Sequence, residues 1–114
     1  MPNVLITGAS RGIGAATAGI FAQEGWDVAL NYTRGRPEAL ALSAALSGLG
    51  IRALPVQADV SRPEEARRLV QEAETALGPL DAIVCNAGIA LPQRLLADTT
   101  PEEYRIYESG TVDL

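Results

Sequence analysis

Short apolar runs alternate with longer segments of mixed polarity along the chain. Each run is continuously or nearly continuously apolar, which is typical of strands buried on both faces of a parallel sheet. We predict four such strands, at residues 3–7, 27–32, 52–58 and 80–88, the last of which runs into a loop. Proline cannot donate a hydrogen bond to a neighbouring strand, so Pro55 places the third strand at an edge of the sheet.

The segments between the strands carry apolar residues at helical spacing. The first helix is predicted over 12–24. Its apolar positions are Ile13, Ala16, Ile20 and Phe21. A second helix is predicted over 37–49, and a third begins at Ser61, where the S-x-x-E pattern that ends at Glu64 predicts a capping box. A further helix is predicted from Thr100–Glu103, with the threonine as its cap and a proline in its first turn.

Strands joined by helices must run parallel, with right-handed crossovers. The order of elements therefore predicts an α/β fold, a doubly wound parallel (Rossmann) sheet with helices on both faces and four strands in the order 3-2-1-4. A complete fold of this kind has two halves. Residues 1–114 are accordingly interpreted as a single Rossmann domain, incomplete by itself and the N-terminal part of a longer protein. Its fourth strand would expose an apolar, unpaired edge, which predicts a homo-oligomer.

Three glycines, Gly8, Gly12 and Gly14, follow the first strand in the stretch ITGASRGIG. A glycine lets a pyrophosphate approach the backbone closely, and the start of the next helix offers unpaired N–H groups and a partial positive charge. The stretch therefore predicts a phosphate-binding loop. The alternative is a strand-to-helix turn that needs glycine only for its dihedral angles.

The spacing T-G-x-x-x-G-x-G resembles that of the short-chain dehydrogenase/reductase family. Asp59-Val60 resembles the D-V pair after that family's third strand, and CNAG at 85–88 resembles its N-N-A-G, with Cys85 in place of the first asparagine. GWDVALNY and TPEEY resemble its second strand and the start of its fifth helix. The resemblance covers residues 3–108 and is nearest to the 3-oxoacyl-acyl-carrier-protein reductase type. It implies an NAD(P)-dependent reductase that interconverts a carbonyl and an alcohol.

The resemblance also implies a set of cofactor-binding residues. Those around the phosphates and ribose would be Gly8, Ser10, Arg11, Gly12, Ile13 and Gly14. Asp59 would accept a hydrogen bond from the adenine amino group, and Val60 would pack beside the ring. The ribose would contact Asn86, Ala87 and Gly88, the first of which also braces the sheet. In the alternative interpretation, Asp59 is a solvated carboxylate in front of the third helix and Asn86 is only a turn residue.

The end of the second strand bears on the choice of cofactor. An acidic residue there normally binds the ribose hydroxyls of NAD, but residues 31–34 contain no carboxylate. An arginine pairs with a 2′-phosphate through two hydrogen bonds, whereas an acid repels it. Arg34 and Arg11 therefore predict a preference for NADP(H) over NAD(H), with Tyr32 near the adenosine and Arg36 as a further candidate. The alternative is that Arg34 and Arg36 are solvated loop charges.

The sequence contains no histidine and no lysine, and all nine basic residues are arginines. Arginine stays protonated, so the usual general base near neutral pH and a histidine-based metal site are both missing. The family's catalytic motif, Y-x-x-x-K, is therefore impossible within this sequence. Tyr104 and Tyr107 fall in the predicted last helix and match no catalytic position. We predict no catalytic residue, no metal, and no turnover by the 114-residue chain alone.

The remaining composition limits the partners. The net charge of −5 without a basic cluster argues against nucleic acid. No apolar run is long enough to span a membrane and no secretory signal is visible, and with Cys85 as the only cysteine a cytoplasmic location is the default. The implied partner is the small carbonyl or alcohol substrate of the complete enzyme. Two alternatives are a non-catalytic dinucleotide-binding or dimerising module and another Rossmann enzyme such as a methyltransferase, against which the glycine spacing argues.

Overall fold

A computed structural model describes residues 2–10 and 12–86, together with the backbone of 105–108. The elements are β1 (Asn3–Ile6), α1 (Gly12–Gln23), β2 (Asp27–Tyr32), α2 (Arg36–Ser47), β3 (Ala53–Gln57), α3 (Pro63–Leu77), β4 (Ala82–Cys85) and β5 (Arg105–Glu108). All strand pairs are parallel, and the sheet order is β3-β2-β1-β4-β5. The predicted doubly wound sheet and its strand order 3-2-1-4 are confirmed.

Helices cover both faces of this sheet. α3 packs on one face over an apolar cluster that includes Leu5 and Ile83. α1 and α2 pack on the other face over a second cluster that includes Val4 and Ile6. Successive side chains of a strand point to opposite faces, so β1 supplies both clusters in alternation and has no polar face. This explains why the central strands are continuously apolar in sequence.

Helix α1 turns a different face to the sheet from the one that its apolar spacing predicts. Its buried residues are Gly14, Thr17, Ala18, Phe21 and Ala22. Ile13 and Ile20 are instead 63% and 55% exposed, and Ala16 is exposed as well. The prediction was wrong for these three positions because small residues let the helix lie close to the sheet, and Phe21 alone supplies the large buried ring. That ring meets Trp26 edge to face, with centroids 4.9 Å apart.

Strand β5 pairs with β4 over its four residues, from Ala82 opposite Arg105 to Cys85 opposite Glu108. Two predictions were therefore wrong: the last helix does not extend through 105–108, and β4 is not an unpaired edge. The segment RIYE carries a β-branched and an aromatic residue, which favour a strand, and pairing satisfies the open edge of β4. The rest of the predicted helix lies outside the described residues. Self-association stays a prediction, without the support of an open β4 edge.

Strand β3 forms the other edge of the sheet, as Pro55 predicts. Alternate residues of β3 bond to β2, which leaves Ala53, Pro55 and Gln57 facing outward. The Ala53 carbonyl accepts a hydrogen bond from Ser43 Oγ at 3.0 Å, and the Gln57 carbonyl accepts one from the Arg68 guanidinium at 2.7 Å. Proline has no N–H to offer, so the outer side of β3 is a poor template for another strand.

Helix α3 begins at Pro63, with Arg62 as its N-cap and no side-chain cap bond. The predicted capping box of Ser61 and Glu64 was wrong. Proline suits the first position of a helix because its missing N–H needs no partner there. The start of α3 therefore follows the proline rather than the serine.

Candidate cofactor site

The loop between β1 and α1 lies at the carboxyl edge of the sheet. Gly8 and Gly12 have φ angles of 62° and 65°, a region that residues with a Cβ rarely adopt. The Gly8 N–H donates to Asn31 Oδ1 at 3.1 Å, and its carbonyl accepts from Asn86 Nδ2 at 3.2 Å. Both polar groups of Gly8 are thus directed at the protein, so this residue shapes the loop.

At Gly14, helix α1 approaches the loop too closely for a side chain. A Cβ there would clash with the Gly8 carbonyl oxygen and would lie 2.6 Å from Asn86 Nδ2 and 3.0 Å from Ala9 Cα. The situation at Gly12 is the opposite, because a Cβ there would meet nothing within 4 Å. One glycine allows close packing, and the other lies beside open space.

The first turn of α1 is next to this open space. The first N–H groups of a helix have no acceptor within it and carry a partial positive charge. Ile13 is exposed there, and the Ser10 hydroxyl donates to the Arg34 carbonyl at 3.3 Å, which ties the loop to the end of β2. Open space at Gly12 next to first-turn amides fits the pyrophosphate of a dinucleotide. Arg11, also predicted to bind it, lies outside the described residues.

Asn31, in β2, has a role that the sequence analysis missed. Its side chain is 1% exposed. Besides accepting from Gly8, it donates through Nδ2 to the Ala58 carbonyl at 3.1 Å, and its own carbonyl accepts the Ala9 N–H at 2.8 Å. The available signal was a lone amide inside an apolar strand, because a buried amide requires hydrogen-bond partners.

Asn86 follows β4 and reaches the loop from the other side. Its N–H donates to Thr7 Oγ1 at 2.8 Å, in addition to the side-chain bond to Gly8. These two bonds tie the end of β4 to the loop after β1. Its contact with a ribose stays a prediction, and Ala87 and Gly88 lie outside the described residues.

After β2 the chain turns at Gly35, whose φ is 85° and which caps α2. Arg34 is exposed in this turn, whereas Tyr32 is buried at 7% exposure. A Cβ at Gly35 would lie 3.1 Å from Ser10 Oγ and 3.0 Å from Glu38 Oε2. The Glu38 carboxylate is therefore close to the corner where a 2′-phosphate is predicted, and the sequence analysis gave it no role.

Asp59 and Val60 follow β3 and have different surroundings. Val60 is 3% exposed and belongs to the apolar cluster under α3. Asp59 Oδ1 accepts hydrogen bonds from Ser61 Oγ at 2.6 Å and from the Ser61 N–H at 3.1 Å. These bonds, with a smaller effect of the Arg62 charge, lower the pKa of Asp59 below its ordinary value because they favour the ionised form. At neutral pH Asp59 is thus a fixed hydrogen-bond acceptor.

Two kinds of site are not found in the part of the chain that the structure describes. Its cysteine and acidic side chains nowhere gather into a group of three that could hold a metal ion. None of its helices is both long enough and apolar enough to cross a membrane. The site at the carboxyl edge is therefore built from backbone, amide and hydroxyl groups with a few charges beside them.

A glycine loop at the carboxyl edge of a central strand, against a helix N-terminus, is the geometry of a dinucleotide-binding fold. The family model for short chain dehydrogenases matches residues 2–108. The chain belongs to the short-chain dehydrogenase family. The resemblance carried by the glycine spacing, Asp59-Val60 and the CNAG segment is confirmed, and the family is one of oxidoreductases that bind NAD(P).

The relatives of this chain are longer proteins. It is 41% identical over 101 residues to an uncharacterized oxidoreductase of Methylorubrum extorquens, covering 89% of this chain and 40% of the relative. It is 35% identical over 94 residues to a 3-oxoacyl-acyl-carrier-protein reductase of Staphylococcus epidermidis. That match covers 82% of this chain and 38% of the relative. A short chain dehydrogenase of Burkholderia cenocepacia, solved in complex with NADP, is 41% identical, with a TM-score of 0.75. That match covers 90% of this chain and 41% of the relative. The chain thus spans about two-fifths of the length of these relatives.

Proposed function

We propose that this chain is the cofactor-binding part of an NADP(H)-dependent short-chain oxidoreductase that interconverts a carbonyl and an alcohol. The observation that carries the proposal is the loop after β1. Its backbone is held from inside by Asn31 and Asn86, while a Cβ at Gly12, the first residue of α1, would meet no described residue within 4 Å. Such an arrangement suits an anionic pyrophosphate because donors are in place before the ligand arrives.

Each predicted residue would contact a different part of the cofactor. Gly12, Ile13 and Ser10 would border the pyrophosphate and the adjoining ribose. Asp59, whose carboxylate is oriented by the hydrogen bond from Ser61, would accept a hydrogen bond from the adenine amino group. When bound, the nicotinamide ring supplies the hydride that is transferred.

The preference for NADP(H) rests on the end of β2. Arg34 is exposed and follows a strand that ends without a carboxylate. The relative from Burkholderia cenocepacia was solved with NADP, which supports the same choice of cofactor. Glu38 opposes it, since its carboxylate lies near Ser10 in the same corner. The proposal is therefore a moderate preference, set by the balance between these charges.

The isolated chain would bind cofactor without turnover. The family's tyrosine and lysine pair requires a lysine, and this sequence has none. A tyrosine without a cationic neighbour has a pKa near 10 and is a poor proton acceptor at neutral pH. The complete enzyme would be a homo-oligomer of the cytoplasm, acting on a small-molecule substrate.

The test is a parallel titration of the chain with NADPH and NADH, in which binding is measured by nicotinamide fluorescence. Tighter binding of NADPH is expected. Arg34→Ala should weaken NADPH binding about tenfold, because a charged hydrogen bond to the 2′-phosphate is lost. Binding of NADH, which has no such phosphate, should change by less than about twofold.

Arg67→Ala is the matched control, since Arg67 is also an exposed arginine but lies in α3 rather than in the turn after β2. It should leave both affinities unchanged. Equal binding of the two cofactors, or tighter NADH, would contradict the NADP(H) preference. Carbonyl-dependent oxidation of NADPH by the purified chain would contradict the absence of turnover.

A further inference from the structure

One buried side chain touches both halves of the proposed cofactor site. Asn31 Oδ1 accepts the Gly8 N–H of the glycine loop at 3.1 Å. Its Nδ2 donates at 3.1 Å to the carbonyl of Ala58, the residue directly before Asp59. The phosphate loop after β1 and the adenine-side loop after β3 are thus joined through a single amide in β2.

An amide in this position is costly unless its hydrogen bonds are made. Asn31 is 1% exposed and lies in a central strand between two apolar clusters, where aliphatic residues would pack without penalty. The side-chain atoms Oδ1 and Nδ2 of Asn31 both have partners. The partner of Oδ1, Gly8, lies beyond the end of β1, and Ala58, which Nδ2 contacts, lies beyond the end of β3. Nδ2 also donates to the Val56 carbonyl in β3 at 3.4 Å, so the amide bonds to the end of β3 as well as to the two loops.

We propose that Asn31 is a positioning residue of the cofactor site, which holds Gly8 in its left-handed conformation and fixes the glycine loop relative to the segment Ala58–Val60. This inference rests on the proposed function. It goes beyond the predicted contact residues, because Asn31 is buried and acts through Gly8 and Ala58.

The effect on binding follows from the freedom of glycine. Without Asn31, Gly8 loses the partner of its N–H and gains access to both signs of φ. The loop would then sample other conformations, and the cofactor would have to select the competent one, which weakens its apparent affinity. The glycine loop would then no longer be fixed relative to the first turn of α1, whose amides are the proposed donors to the pyrophosphate.

The test compares Asn31→Ala with Asn3→Ala. Asn3 is a matched control because it is also a buried asparagine, at 4% exposure, and it also donates to backbone carbonyls, those of Leu77 and Pro79. It lies at the opposite end of the sheet, in β1. Both variants lose buried hydrogen bonds, so a purely structural role would affect them alike.

The first measurement is amide hydrogen exchange in the ligand-free chain, monitored by NMR. The Gly8 amide should be protected in the unchanged protein and in Asn3→Ala, and its exchange should be at least about tenfold faster in Asn31→Ala. The second is NADPH titration well below the melting temperature. Asn31→Ala should bind about tenfold more weakly, and Asn3→Ala should stay within about twofold of the unchanged chain.

The outcomes separate the positioning role from the proposed function. Fast exchange of Gly8 in the unchanged chain, or equal affinities of the two variants, would overturn the positioning role while NADPH binding by the unchanged chain upholds the function. A protected Gly8 without any dinucleotide binding would overturn the function, and the positioning role with it. If Asn31→Ala does not fold, Asn31→Ser replaces it, because a hydroxyl is too short to reach both loops, and the same loss of affinity is expected.

Discussion

The two ends of the parallel sheet use buried polar side chains in different ways. At the amino edge these side chains bond to a more exposed arginine and to the ends of neighbouring elements. At the carboxyl edge they bond to the backbone of loops, beside which we propose that the cofactor binds.

The amino edge is organised around Asp27 and Asn3. Asp27 is 2% exposed and accepts from the Arg52 N–H at 2.8 Å and from its guanidinium at 2.9 Å. Arg52 also donates to the Leu77 carbonyl at 3.2 Å, and so does Asn3 at 2.7 Å. The last carbonyls of α3, which lack partners within the helix, are satisfied in this way.

Within residues 2–10 and 12–86, no such closure is found on the outer side of the carboxyl edge. Asn31 and Asn86 fix Gly8 from within, but the amides of the first turn of α1 are next to open space. Two asparagines of similar burial, Asn3 and Asn31, thus differ because Asn3 bonds to the end of α3 and Asn31 bonds to the loops of the proposed cofactor site. Burial of an amide alone does not indicate which role it has.

Asp27→Ala should have the largest effect on stability. It removes a buried carboxylate and leaves the Arg52 N–H without its partner, which we expect to cost about 2–3 kcal/mol. Chemical denaturation measures this loss. If the comparison of the two edges is right, NADPH affinity in the folded protein stays unchanged.

The matched control for that variant is Asp81→Ala. Asp81 is an exposed carboxylate at the same edge and accepts the Asn3 N–H at 2.8 Å. We expect a loss of about 1 kcal/mol or less. If Asp81→Ala lowers the free energy of unfolding as much as Asp27→Ala does, Asp27 is not the main stabilising carboxylate of the amino edge.

Gly14→Ala should be next in size and should act at the carboxyl edge. A methyl group there would clash with the Gly8 carbonyl and with Asn86, which we expect to cost about 2 kcal/mol in unfolding free energy. Because the displaced atoms belong to the glycine loop, NADPH affinity should fall as well, in contrast to Asp27→Ala. Calorimetry and NADPH titration check the two effects.

Gly19→Ala controls for the presence of an added methyl group in α1. A Cβ at Gly19 would meet nothing within 4 Å, and its position in a helix favours alanine. The chain should become more stable by about 0.5–1 kcal/mol, with unchanged cofactor affinity. Destabilisation by both variants would show that α1 tolerates no methyl group, and the special position of Gly14 would be refuted.

Ser61→Ala should have the smallest effect on stability, and it should change the titration of the Asp59 carboxyl group. The serine hydroxyl is the strongest cause of the lowered pKa of Asp59, so that pKa should rise toward its ordinary value while the backbone N–H at position 61 keeps part of the shift. A lowered pKa in the folded state stabilises the fold above the unfolded pKa, and this stabilisation is lost as the pH falls through the folded pKa. The variant should therefore lose less stability on acidification, and NMR titration of the Asp59 carboxyl carbon checks the shift.

The sheet could be predicted from the sequence because its signals are local and repeated. Continuous apolar runs, helix stops and Pro55 fix the strands, their order and one edge. The buried face of α1 could not be predicted, since hydrophobicity favours Ile13 and Ile20 whereas close packing requires Gly14 and Ala18. Which demand prevails depends on the distance between helix and sheet, and that distance is set by contacts distant in sequence.

The candidate site was predictable only where a glycine or a charge marks it. Gly12 begins α1 directly after the glycine loop, and Arg34 lies in the turn between β2 and α2. Asn31 was passed over because its partners, Gly8 and Ala58, are 23 and 27 positions away and meet only in the folded sheet. β5 was mistaken for a helix because a proline and two glutamates before it outweighed a strand signal of only four residues.

The outer side of β3 gives the sheet a direction of growth. Ser43 and Arg68 already bond two of its outward carbonyls, and Pro55 interrupts its row of donors. A strand that arrives there cannot complete a regular ladder, whereas β4 accepts β5 along its whole length. Addition of strands, whether from the same polypeptide or from another molecule, is therefore directed to the opposite side, and stacking of molecules through β3 into fibres is disfavoured.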